Sequence, residues 1–309
     1  MAQFCKGAND IREVRISPTG DFDNGARAHA HITALPLSAA MGAEITGADL
    51  ARLSDAALAE LKVALWRHKM IFVRRQPLTH EQHRDFSARW GEFATDAYTQ
   101  GMPGVPQVQP VIKEAETCTK ALFGSGWHTD SAFLACPPAI SMLRSVQIPP
   151  YGGDTVWADC ALAYRMLSPA IQAMLAPLKV YMSAEGNIQT SLRLEGRALP
   201  FASDAAQAEA IIGTAHPLVR THPETAEKSL YVDEVYAMGI DGMTDAESRP
   251  LLDFLTRHIT QHAFTCRLRW EPDMLVMWDN RLCLHLAAND YDGFRREMYR
   301  TTIAGGVVE

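Results

Sequence analysis

The chain has 309 residues, a formal net charge of −7, 47% apolar residues and 21% charged ones. The apolar share supports a substantial core, and the ordinary charged share excludes global disorder. With 29 basic residues against 36 acidic ones and no sustained basic run, the electrostatic footprint of a nucleic-acid binder is absent.

Residues 1–30 are polar and rich in Gly, Asp and Asn, and they read as a loose extension before a single domain over 31–309. That extension lacks the continuous apolar region of a secretory signal. No run in the chain approaches the ~18 apolar residues of a membrane span. The six cysteines are scattered without a C-x-x-C pair, which fits reduced thiols in a cytosolic protein. A cytoplasmic protein without membrane or nucleic-acid partners is expected.

Ser54 caps a predicted helix whose Leu58, Leu61 and Leu65 recur at helical spacing. Ile71-Phe72-Val73 reads as a short buried strand. Thr79 and Gln82 form a capping box, and the helix behind it carries Phe86 and Trp90 four apart. From Gln107 onward the pattern turns to β, with strands predicted over 107–113, 139–148, 155–158, 178–183, 217–222 and 229–232. Pro149 to Asp154 is a turn, and Thr221 to Ser229 a hairpin loop. Residues 183–215 show little strand signal and read as a lid or a disordered stretch. Thr244 and Glu247 make a second capping box, opening a helix through Leu251, Leu252, Leu255 and Ile259. Strands follow over 263–269, 273–278 and 296–303. No repeat or linker divides the chain, so a β-sandwich or barrel dressed with helices is expected.

His128 and Asp130, in Gly126-Trp127-His128-Thr129-Asp130, share one face if the segment is extended. Two histidines and one carboxylate form the facial triad of non-haem Fe(II) oxygenases, which leaves coordination positions open. The best candidate for the second histidine is His285, distant in sequence at the end of another strand. Alone, the H-x-D pair equally fits a hydrogen-bonded pair near a turn. His258 and His262 have zinc-compatible spacing, but no Glu follows His258 and no third ligand is near. His68, His80, His83, His216 and His222 read as structural. Alternation in the last strand puts Arg296, Met298 and Arg300 on one face. Either that face looks into a site where anions meet the guanidiniums, or it is exposed and carries paired surface charges.

Together these segments are ones a known family shares. The chain resembles the taurine dioxygenase / 2,4-dichlorophenoxyacetate dioxygenase family of Fe(II)/2-oxoglutarate enzymes from about His31 to Gly305. The matching motifs are Gly42 to Leu50, Trp127-His128-Thr129-Asp130, Gly152-Gly153-Asp154-Thr155, Trp278-Asp279-Asn280 and Arg296 to Ile303. The resemblance implies a mainly β fold with flanking helices, the double-stranded β-helix (jelly-roll, cupin-like). It makes His128, Asp130 and His285 the iron ligands. It assigns Arg296, eleven residues after His285, and Thr155 to the distal carboxylate of 2-oxoglutarate. Arg300 matches an arginine near both co-substrate and substrate anion. Fe(2+), with 2-oxoglutarate and O2 as co-substrates, would hydroxylate a substrate and release succinate and CO2. A hydroxylated carbon that bears O, S or N could then lose that bond. Asp130 argues against halogenating relatives, which have a small residue there.

Two positions depart from the taurine enzymes. Ala94 follows Gly91-Glu92-Phe93 where they carry a histidine, and Gly124 stands where they carry an asparagine. A buried sulfonate needs such donors, so taurine is not the expected substrate. Arg300 still favours a small organic anion: an aryloxyalkanoate, an alkyl sulfate ester or an alkylsulfonate. Met243 to Ser248 and Phe264 to Arg267 look nearest to the aryloxypropionate-cleaving branch. Leu122, Phe123 and Phe133 either line an apolar pocket or pack the core. The alternatives are a metal-dependent hydrolase or lyase on a jelly roll, which leaves Thr155 and Arg296 unexplained, and a non-catalytic binding relative. Relatives often form homo-oligomers, but no interface signature is visible here.

Overall fold

The computed structural model describes residues 22–117, 124–196 and 200–308. Its largest sheet has eight strands, in the order Arg27–Ala28, Thr33–Pro36, Ala43–Thr46, Met70–Val73, Leu275–Asp279, Ile140–Gln147, Arg296–Ile303 and Gln109–Lys113. Neighbours pair antiparallel except Ala43–Thr46 with Met70–Val73. A second sheet, Thr265–Leu268, Thr155–Asp159 and Cys283–Ala287, packs on it through Trp157 and Trp278, whose ring centroids are 5.9 Å apart. Ala237–Ile240, Lys179–Met182 and Thr214–Pro217 form a third sheet, and Val219–Thr221 pairs with Lys228–Leu230 in a hairpin. The architecture is the double-stranded β-helix with flanking helices.

The central strands read as unbroken apolar runs because both of their faces are covered. Met70 and Phe72 enter the core between the sheets, while Ile71 and Val73 enter a second core beneath the helices. Leu275–Asp279 divides the same way, with Val276 and Trp278 inside and Leu275 and Met277 towards the helices. The helix Asp55–His68 covers that outer face with Leu61 and Leu65, both fully buried. Its Ser54 cap accepts from the Ala57 N–H. Lys69, at φ 65°, ends it and turns the chain directly into Met70–Val73.

Three segments differ from expectation. Residues 183–215 hold two helices, Glu185–Glu195 and Asp204–Ile212. Left-handed Gly196 closes the first and Ser203 caps the second, but each buries so narrow a stripe that its periodicity is faint. The strand expected over 217–222 breaks at Leu218, its two halves pairing into different sheets. The polar N-terminal stretch is tied down at its end: buried Asn24 donates to the carbonyls of Ser38 and Gly42. No helix among the described residues is long and apolar enough to cross a membrane.

Candidate active site

His128 does not lie in a regular strand. It makes a single ladder step with His285, each N–H donating to the other's carbonyl at 3.0 and 2.8 Å. Asp130 opens the turn that follows, which limits the extended segment to one bridge. The shared facing of the two side chains survives. His128 Nε2 is 3.9 Å, and His285 Nε2 3.8 Å, from Asp130 Oδ1. The three donor atoms lie within 4.8 Å of one another, and among the described residues this is the one cluster suited to a metal ion.

Their protonation states suit a metal. His128 Nδ1 lies 2.8 Å from the Gly126 carbonyl, which puts the ring proton there and leaves Nε2 as the electron-pair donor. Burial pushes the His285 imidazole down to about 3, and burial lowers His128 too. Burial works against ionisation of Asp130, but His285 and Arg300 outweigh it and hold the carboxyl below its usual range. Two neutral imidazoles and a carboxylate are the forms that bind a cation.

The Trp278-Asp279-Asn280 motif braces this cluster. Asp130 Oδ2 accepts from Ser141 Oγ at 2.5 Å, and Ser141 accepts from Asn280 Nδ2 at 2.9 Å. Trp278 Nε1 donates to Asn280 Oδ1, and the Trp278 ring lies 4.8 Å from that of His285. Thr129, between His128 and Asp130, donates to the Asn280 carbonyl. Asp279 is buried against Arg281 and His222, beneath the site.

A cavity of about 250 Å³ opens beside the cluster, bounded by His128, Asp130 and His285 together with Thr155, Arg296 and Arg300. Both arginines are buried, so their strand face looks inward. Arg296 lies between the rings of Trp270 and Tyr291, at 5.7 and 5.9 Å, and its Nε and Nη2 have no hydrogen-bond partner. Burial lowers its pKa. Left-handed Gly153 passes so close that an added Cβ would sit 3.4 Å from Arg296 Nε. Thr155 accepts from Trp270 Nε1, which leaves its own hydroxyl proton to donate. A buried guanidinium with two vacant donors and a threonine hydroxyl on the same wall suits a carboxylate. The donor set thus fits a ferrous ion with an anionic chelator. Arg300 is different, since its Nη2 is bound to Asp96 and its Nη1 lies 3.5 Å from Asp130 Oδ1.

Phe133 is core, edge-on to Tyr98 and Tyr236, rather than cavity lining. Leu122 and Phe123 lie outside the described residues. His258 bonds the Ala163 carbonyl, a structural role. The apolar wall comes instead from Tyr98, Pro110, Val111, Leu143, Pro200 and Trp278. Lys113 also lines the cavity, in cross-strand register with Arg296.

Residues 33–302 match the family model described as taurine catabolism dioxygenase TauD, TfdA family. An alpha-ketoglutarate-dependent sulfate ester dioxygenase of Pseudomonas putida is 33% identical over 88% of this chain and 89% of its own. A (S)-phenoxypropionate/alpha-ketoglutarate-dioxygenase of Sphingobium herbicidovorans is 31% identical over 87% and 94%. The crystal structure of a taurine dioxygenase from Burkholderia xenovorans superposes with a TM-score of 0.75 at 39% identity, covering 90% of this chain and 92% of that one.

Proposed function

Because the chain belongs to the TauD/TfdA family of Fe(II)- and 2-oxoglutarate-dependent dioxygenases, we propose that His128, Asp130 and His285 hold its ferrous ion and that Arg296 and Thr155 receive the far carboxylate of 2-oxoglutarate. Held by these residues, the ion would supply O2 activation coupled to decarboxylation of 2-oxoglutarate, giving succinate, CO2 and a hydroxylated substrate. The chain's own residues bind and orient. Arg296 offers its vacant Nε and Nη2 to the co-substrate's tail, and Thr155 adds its hydroxyl proton. Arg300, beside Asp130, steadies the inner end of the co-substrate. Ser141 and Asn280 fix the Asp130 carboxylate. Trp278, Leu143 and Tyr98 keep the cavity largely apolar.

The substrate in this reading is a small organic anion, an aryloxyalkanoate, alkyl sulfate ester or alkylsulfonate, hydroxylated beside oxygen or sulfur so that a C–O or C–S bond can break. The names of the relatives support that class, as does a cavity sized for a small apolar body. The observation that carries the reading is the pair of vacant donors, Nε and Nη2, on buried Arg296 in the same cavity as the His–Asp–His cluster.

Anaerobic addition of Fe(II) and 2-oxoglutarate should develop a visible charge-transfer band. Arg296→Ala should retain the fold and lose 2-oxoglutarate affinity by about a hundredfold, the scale of a buried charge-assisted pair. An affinity equal to that of the unmodified protein would remove Arg296 from the site.

A further inference from the structure

The charges on the cavity wall do not stand in equivalent surroundings. Arg296 has two vacant donors. Lys113 donates to Asn289 Oδ1 at 2.9 Å and to Asp292 Oδ1 at 2.7 Å. Arg300 is paired inside the protein: Asp96 Oδ2 accepts from its Nη2, and the two side chains are only 5% and 10% exposed. Asp96 cannot readily swing away. Its Oδ1 accepts from the backbone N–H groups of Tyr98 at 2.9 Å and Thr99 at 2.7 Å, so the carboxylate is fixed at both oxygens. Burial opposes the charge on Arg300, but Asp96 and then Asp130 outweigh it and hold the guanidinium's pKa above its ordinary value.

This pairing changes what the inner cavity can accept. A ferrous ion balances the dianion 2-oxoglutarate, and Asp96 with Asp130 balances Arg296 with Arg300. The loaded site is therefore neutral. Without Asp96 the same groups would carry one positive charge, the match for a monoanion placed against Arg300. With Asp96, such a group finds only the Nε of Arg300 vacant, and the guanidinium charge is already offset by a carboxylate in a buried site where like charges repel.

Building on the dioxygenase reading, we propose that Asp96 is a specificity-determining residue that withdraws Arg300 from the substrate, so that an anion gains little from its charge and is selected by its apolar body instead. Asp96 acts through Arg300 as a positioning residue. The substrate class that fits is the aryloxyalkanoate, alkyl sulfate ester or alkylsulfonate whose apolar body lies along Tyr98, Leu143 and Trp278.

Asp96→Asn tests this directly. Asparagine keeps an Oδ1 for the Tyr98 and Thr99 N–H groups but turns an NH2 towards Arg300, donor against donor, so the guanidinium is released. Phenoxyacetate and its uncharged analogue phenoxyethanol are titrated calorimetrically into protein loaded with Mn(II) and 2-oxoglutarate. The variant should bind phenoxyacetate about tenfold tighter relative to phenoxyethanol, the scale of one newly available charge contact. With iron and O2, KM for phenoxyacetate should fall relative to that for phenoxyethanol. Damage to the loop would instead weaken both probes alike. Asp96→Ser, which keeps a short acceptor but no charge, should shift the ratio the same way if the asparagine variant folds poorly. An unchanged or lowered ratio, or no phenoxyacetate binding to either variant, overturns the role of Asp96. Succinate release by the unmodified protein is measured alongside: its absence counts against the dioxygenase reading, whereas the binding ratio decides Asp96 independently.

Discussion

Ser141 has no chemistry of its own, yet it fixes the one carboxylate in the His–Asp–His cluster. It donates to Asp130 Oδ2 and accepts from Asn280, so one oxygen is anchored and the other points at both imidazoles. Ser141→Ala should weaken Mn(II) binding about 10- to 100-fold, as loss of a ligand's supporting partner typically does, with little change in fold. Unaltered binding would mean that packing alone holds Asp130. At this scale the sequence was readable where residue type dictates chemistry. His128, Asp130, His285, Thr155, Arg296 and Arg300 do meet on one cavity. Asp96 was not readable, because a lone aspartate in an aperiodic segment acquires meaning only when Arg300 packs against it. Phe133 was ambiguous for a related reason: an aromatic beside a ligand motif can face the site or the core, and only the turn after Asp130 sends it inward.

The elements were legible where local signals are reciprocal. Both arms of the Thr79–Gln82 box form, and the Glu247 carboxylate accepts from the backbone N–H and the hydroxyl of Thr244. The helices over 185–212 lacked a wide apolar face, so nothing distinguished them from loop. The helix Asp55–His68 lies on the side of the main sheet away from the cavity, its Leu61 packed under Ile71 and Met277. Leu61→Ala should therefore cost about 2–5 kcal/mol of stability, the range for a fully buried leucine, while leaving metal and 2-oxoglutarate affinities unchanged below the melting range. Thermal denaturation and metal titration on one sample separate the two effects. A parallel loss of metal affinity would mean that the two cores are coupled through the sheet.

For the whole molecule, acid stability is set partly by a histidine remote from the chemistry. His83 is fully buried, its Nδ1 has no partner, and burial pushes its pKa down to about 3. The unfolded chain takes up that proton near its ordinary value, so the neutral form stabilises the fold fully above about pH 6.5 and progressively less as pH falls towards 3. Between pH 6.5 and 5 this one group should remove about 2 kcal/mol of unfolding free energy, and His83→Gln should flatten that part of the profile. An identical slope in the variant would assign acid sensitivity elsewhere. The reciprocal amide bonds of His128 and His285 reach further still. They join distant stretches of the polypeptide, so an ion gripped by those imidazoles resists the same opening that parts the amides. Deuterium uptake by peptides spanning 126–130 and 283–287 should slow on metal addition alone, and melting temperature should climb with metal concentration. Iron supply would then govern how long each molecule lasts before unfolding, quite apart from how quickly it turns over.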